Sequence, residues 1–141
     1  MTYVIKPANT SNEDTRRLIL KLHKICFPGD KQPPLKQGYW WLIWHEGVAV
    51  AFAGIVPSTQ WLSCGYFSRA GVIPGHRGKQ LQRRLIKVRV AKAKKLGWEA
   101  ITTDTRDNPS SANNLIECGF RMYSPRKPWA YNDSCYWRIK L

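Results

Sequence analysis

Apolar and polar positions along the chain switch between two periods, alternation every second residue and recurrence every third or fourth, so strands and helices both form. Tyr3-Val4-Ile5 is a short β-prone run. From Thr10 to Phe27, residues Leu18, Leu22, Ile25 and Cys26 share one helical stripe, and the spacing of Thr10 and Glu13 matches a capping box, which predicts a helix beginning at Thr10. Pro28-Gly29-Asp30 ends it, and a proline-rich loop runs on to Gly38. Tyr39 to His45 and Val48 to Val56 are aromatic and β-branched runs joined by Glu46-Gly47, the pattern of a hairpin. Beyond the turn at Pro57-Ser58, Trp61 to Ile73 reads as one long strand. A bulge is expected near Gly65 or Gly71, where a missing side chain makes one easy.

Gln80 to Leu96 returns to the helical period, with Leu81, Leu85, Val88 and Leu96 on one side and Arg83, Arg84, Lys87, Lys94 and Lys95 on the other. Gly97 is the expected cap. Glu99 to Arg106 is then a strand, so Val72 to Arg106 forms strand, helix, strand. A connection of that length makes a parallel crossover, beside which ligands sit beyond the carboxyl ends of the strands. Asn108-Pro109-Ser110-Ser111 opens a short helix through Glu117, closed by Gly119. Phe120 to Tyr123 is a strand, Pro125 to Tyr131 a proline-rich loop, and Tyr136 to Leu141 alternates Trp137, Ile139 and Leu141 against Arg138 and Lys140. The fold class is mixed α/β, a meander followed by a crossover, and without a repeat or low-complexity segment it is expected to be one domain over residues 1–141.

Composition narrows the chemistry. The four cysteines are far apart and lack the paired spacing of a zinc site, which suggests reduced thiols, a cytoplasmic setting and no metal. Neither a signal-peptide pattern nor an apolar run of membrane-spanning length occurs, so no membrane partner is expected. A net charge of +14 attracts nucleic acid, phosphorylated ligands or other polyanions. Seven tryptophans exceed what a core of this size needs, so some are available to line a site.

Between the apolar run and the basic helix stands Val72-Ile-Pro-Gly-His-Arg-Gly-Lys-Gln-Leu-Gln82. A strand, a glycine turn and a helix start leave backbone N–H groups without partners, and the positive end of the helix dipole adds a field that attracts phosphate. Val72, Pro74, Arg77 and Gly78, with the later set Asn108, Ser111, Gly119 and Phe120, resemble the two signatures of the GNAT superfamily of acetyl-CoA-dependent N-acetyltransferases. The resemblance implies a mostly antiparallel central sheet with one parallel strand pair around the cofactor and helices on its flanks. It also implies that Val72 and Ile73 bond the pantetheine arm through their backbone, and that Arg77, Gly78, Lys79, Gln80, Leu81 and Gln82 hold the pyrophosphate. Asn108 would reach the pantetheine or position the amine, and Ser111 would cap its helix or approach the cofactor; an Asx turn before Pro109 is the simpler role for Asn108. The implied reaction transfers acetyl from acetyl-CoA to a primary amine on a small molecule, a protein or an RNA-linked group, by a monomer or homodimer.

Three departures from the family pattern bear on mechanism. Gln80 and Gln82 stand where glycines are frequent, and Leu115 replaces the tyrosine that protonates the leaving thiolate, leaving Tyr123 or Cys118 as substitutes. Tyr66 occupies the strand position where relatives place a glutamate base, and no carboxylate lies between Glu46 and Glu99, so the base is Tyr66, His76 or a relayed water. Substrate walls are expected from the loops at Pro28 to Gly38 and Ser124 to Tyr131, with Trp129, Tyr131 and Trp40 available to stack. The alternative is a module on the same fold that binds nucleic acid or an acidic protein through its basic helix, with weak or lost catalysis.

Overall fold

The computed structural model describes residues 2–141. The elements in order are β1 (Tyr3–Ala8), α1 (Glu13–Cys26), β2 (Tyr39–His45), β3 (Val48–Pro57), β4 (Cys64–Val72), α2 (Leu81–Lys95), β5 (Ala100–Thr105), α3 (Pro109–Glu117), β6 (Arg121–Tyr123) and β7 (Cys135–Lys140). The strands form one sheet in the order β1-β2-β3-β4-β5-β7-β6. Every neighbouring pair is antiparallel except β4 and β5, the two strands joined by the α2 crossover.

The helix and strand starts differ from the sequence reading in two places. Asn12, not Thr10, caps α1, its side-chain oxygen accepting from the Thr15 amide at 3.1 Å. Asparagine outranks threonine as a cap, and Glu13 bonds Arg17 at 2.8 Å instead of reaching back to Thr10. At the other site β4 begins at Cys64, because Ser63 adopts φ +56° and the hydroxyl of Ser58 holds the amides of Gln60 and Trp61 in a turn.

The bulge also lies elsewhere. Ala53 pairs with Ala70 and Ile55 with Phe67, so Gly54 faces both Ser68 and Arg69. Gly65 and Gly71 serve close packing instead: a Cβ would lie 2.6 Å from the Trp98 ring at the first and 2.8 Å from Cys26 Sγ at the second.

Both faces of the sheet are covered near its middle. Ile43, Ile55, Phe67, Leu85, Ile101 and Phe120 fill the side under α2 and α3, while Ile19, Leu22, Trp40 and Phe52 fill the side under α1. Trp40 is therefore core, 2% exposed, with its indole N–H on the Gln37 carbonyl, and it does not line a substrate wall. Arg89, also 2% exposed, sits under α2 with its guanidinium 3.8 Å from the centre of the Phe67 ring and its N–H groups on the carbonyls of Leu85 and Gly54. The apolar stripe of that helix did not foretell a buried cation.

His23 is the polar residue buried under α1, and its Nε2 has no hydrogen-bond partner. Burial, aided by Arg69, pulls its pKa below the ordinary 6.5. Below pH 6.5 the unfolded chain therefore binds more protons than the folded one, and stability falls as pH drops from 6.5 toward the depressed folded value. His23→Leu is expected to flatten that acid limb in a urea titration at several pH values; an unchanged slope contradicts the assignment.

Candidate active site

Parallel pairing between β4 and β5 ends early. Cys64, Gly65 and Tyr66 pair with Ala100, Ile101 and Thr102, after which the strands part and the Thr103 hydroxyl, at 3.4 Å, takes the Phe67 carbonyl. The Ser68-Arg69 bulge falls at the same point, so a wedge opens between the remainder of β4 and β5. Ile73 donates its amide to Val50 at 3.0 Å and accepts from the His76 amide at 3.3 Å, so its N–H is already used within the fold. A trans peptide points the Val72 carbonyl away from the Ile73 N–H, hence toward the wedge. There it accepts from Arg77 Nε at 2.8 Å.

The turn from Pro74 to Gln80 carries positive φ at Gly75, Gly78 and Gln80, and its residues Arg77 to Gln80 are exposed. An added Cβ at Gly78 would meet nothing within 4 Å, so this backbone faces open space. Gln80 is the N-cap of α2 but makes no side-chain cap bond, and the first turn holds no acidic residue. Its free amides and the charges of Arg77 and Lys79 suit a phosphate, as the motif implied. Gln80 holds φ +65°, a left-handed conformation that costs a side-chain-bearing residue about 1–2 kcal/mol. Gln80→Gly is accordingly expected to raise thermal stability by several tenths of a kcal/mol or more, offset in part by glycine's greater entropy when unfolded; a loss of stability contradicts that account.

Near the wedge, Asp104 of β5 accepts a short hydrogen bond from the Tyr66 hydroxyl and a second, at 3.2 Å, from Trp129 Nε1. Burial first, then the Asp104 charge, pushes the Tyr66 phenol well above its usual range, so it stays protonated and acts as a donor. Asp104 lies beyond the Glu46 to Glu99 span, on a strand that no local pattern links to Tyr66. The available signal was an aspartate within Ile-Thr-Thr-Asp-Thr, since aspartate is depleted in strands. His76 is instead held by the Tyr3 hydroxyl at 3.0 Å, against the opposite sheet edge.

Residues 9–120 match the sequence model of the Acetyltransferase (GNAT) family. The chain belongs to that family. No curated protein sequence matches it. Among solved structures, an IAA acetyltransferase from Bacillus cereus is similar at 16% identity and TM-score 0.79, over 99% of this chain and 100% of the other. A Bacillus subtilis acetyltransferase solved in complex with CoA matches at 16% identity and TM-score 0.75, covering 99% of each chain. A Salmonella typhimurium protein solved with its cofactor acetyl-CoA matches at 15% identity and TM-score 0.76, over 100% of this chain and 95% of the other.

Other motif positions of this GNAT chain sit as follows. Asn108 caps α3, accepting from the Ser111 amide at 3.1 Å, so the cap is Asn108 and Ser111 is its donor. Leu115, in the tyrosine's place, is buried core. Tyr123 on β6 has a buried hydroxyl without a partner, and burial raises its pKa. Cys118 is half-buried behind α2 and α3, its thiol raised by burial. From the 124–134 loop, Trp129 packs edge-on against Tyr136 at 4.6 Å and lies 5.9 Å from Trp61; Tyr131 is exposed under Arg106. The Pro28 loop reaches β4 through Asp30, which pairs with Arg69 at 3.2 Å. On α2, Arg83 bonds Asn114 and Arg84 the Tyr3 carbonyl, while Lys87, Lys94 and Lys95 are exposed.

Proposed function

We propose that the chain is an N-acetyltransferase that moves acetyl from acetyl-CoA to a primary amine, with Asp104 as the proton acceptor and Tyr66 as the residue that holds it. The observation that carries the reading is the Tyr66–Asp104 hydrogen bond at the point where β4 and β5 part. The residues present suit the cofactor: the amides of Arg77 to Gln82 have no backbone acceptor, Gly78 opens onto free space, and the Val72 carbonyl faces the wedge. Bound there, acetyl-CoA supplies an activated acyl carbon.

Lys79 and the first turn of α2, Leu81 and Gln82 included, hold the pyrophosphate in this reading; Asn108 and Ser111 shape the pantetheine wall from the start of α3. Arg77 leaves Val72 when the pantetheine arm takes that carbonyl. Tyr66 keeps its proton, so it orients Asp104 and leaves the second carboxylate oxygen able to receive a proton from the amine. Tyr123, proton-bearing and without a partner, is the donor for the leaving sulfur. A ligand that binds only the folded state stabilises it, by about 2.7 kcal/mol at a hundredfold excess over Kd. Acetyl-CoA is thus expected to raise the melting temperature by several degrees, CoA by less, and acetate not at all. A flat melting temperature at saturating acetyl-CoA removes the cofactor assignment.

A further inference from the structure

Strand register fixes which side chains share the sheet face that carries Asp104. Thr102 pairs with both Tyr66 and Arg138, Asp104 with Tyr136, Tyr136 with Tyr123, and Arg138 with Arg121. Paired residues point to one side of a sheet and alternate residues to the same side, so Tyr66, Asp104, Tyr123, Tyr136, Arg121 and Arg138 form one surface. α1 packs on this face mainly over β3 and β4. Over β5, β7 and β6 the cover comes from Trp129 and Trp61 instead.

Two features of that surface are unexplained by the fold. Arg121 and Arg138 stand directly opposite one another, an unfavourable like-charge pair, and among the described residues neither forms a salt bridge. Both are exposed, and the Arg138 guanidinium is steered over the Tyr123 ring at 4.5 Å. In addition, the Tyr123 hydroxyl is buried without a partner, which native structures seldom tolerate without a ligand or water. Arg138 lies two residues along β7 from the partner of Asp104, roughly 7 Å away at the rise of a strand. A carboxylate at one end, a pair of free arginines at the other and aromatic rings between them make a surface with two charged poles.

We propose that the amine acceptor carries its own anionic group at the far end of a planar body, as an aromatic amine carboxylate does. The proposal rests on the acetyl-transfer reading above. The ammonium replaces the indole N–H of Trp129 on Asp104, the ring lies among Tyr123, Trp61 and Trp129, and the anionic group meets Arg138 and Arg121. As the N–C bond forms and the C–S bond breaks, the nitrogen loses two protons: one leaves to solvent by way of Asp104, and the other restores the proton that Tyr123 passes to the departing sulfur.

Matched amines test it: para-(2-aminoethyl)benzoate against phenethylamine, and para-aminomethylbenzoate against benzylamine, with thiol release from acetyl-CoA as the readout. The carboxylated member of at least one pair is expected to have a KM lower by about tenfold or more, the scale of one charge-assisted contact. Arg138→Gln should bring that KM ratio near one and Arg138→Lys should keep part of it; Arg121→Gln provides a second variant if the first folds poorly. Equal or lower KM for the uncharged members in both pairs overturns the proposal, as does a ratio that survives both Gln variants. Heat stabilisation by acetyl-CoA is measured on the same preparations. Stabilised protein that acetylates neither carboxylated amine overturns this proposal alone, whereas protein that acetyl-CoA does not stabilise overturns the reading beneath it.

Discussion

Asp104→Asn is expected to lower kcat/KM for acetyl transfer by roughly a hundred- to ten-thousand-fold, the range that a positioned acid or base supplies. The substitution keeps shape but removes the charge that receives a proton. An asparagine oxygen can still accept from Tyr66, so the wedge keeps its outline and the fold should lose no more than about 1–3 kcal/mol. Affinity for acetyl-CoA should change little, because Asp104 is not among the groups proposed to hold it. Tyr66→Phe should spare cofactor binding and slow turnover by less than the Asp104 variant, since the hydroxyl orients the carboxylate and does not itself titrate near neutral pH. An Asp104→Asn enzyme working within about threefold of the parent would remove this residue from the mechanism.

Gly78→Glu is expected to abolish measurable stabilisation by acetyl-CoA, weakening its binding by roughly a hundredfold or more. Two unit charges about 4 Å apart near a protein surface interact by roughly 4 kcal/mol, and here the carboxylate would stand against the pyrophosphate. The left-handed φ of +76° adds strain of about 1–2 kcal/mol. Space is not the obstacle, because a Cβ at this position meets nothing. The unliganded melting temperature should therefore fall by only a few degrees to a handful more. Gly78→Ala separates the causes: it carries the strain without the charge and should retain most of the acetyl-CoA affinity. If Glu and Ala variants bind acetyl-CoA equally well, the turn is not the phosphate site.

Much of the architecture was legible because hydrophobic period and turn chemistry agree along the chain. The β2–β3 hairpin follows from Glu46-Gly47 between two apolar runs, and the parallel pair follows from the length of the Val72 to Arg106 unit. Local competition hid the rest. Thr10 and Asn12 both have capping chemistry, and asparagine's stronger capping preference competes with the box spacing of Thr10 and Glu13. Gly65 and Gly71 look alike as bulge sites in sequence, yet each admits a side chain from a neighbouring element, which leaves the bulge to Ser68-Arg69. Trp40 is indistinguishable from Trp129 by residue type; one is sealed beneath α1 and the other rests on Asp104.

The exposed glycine turn and helix start between Val72 and Gln82 were readable because glycine and helix-start signals encode backbone placement locally. The Tyr66–Asp104 contact was not, since the two are 38 positions apart and meet only through β4–β5 register. The strand that carries Tyr66 holds no carboxylate. Register also brings Arg121 opposite Arg138, a juxtaposition that no local pattern announces.

Acetyl transfer itself is tested most directly by following the acetyl group. Acetyl-CoA labelled in its acetyl carbon is incubated with the protein and a pool of primary amines that includes para-aminomethylbenzoate and benzylamine, and the label is traced by mass spectrometry, with the Asp104→Asn protein in parallel. The account predicts label in a stable amide with the parent protein and at most a hundredth as much, roughly, with the variant. Label that remains in the thioester, or passes only to free acetate at the rate seen without protein, would contradict it.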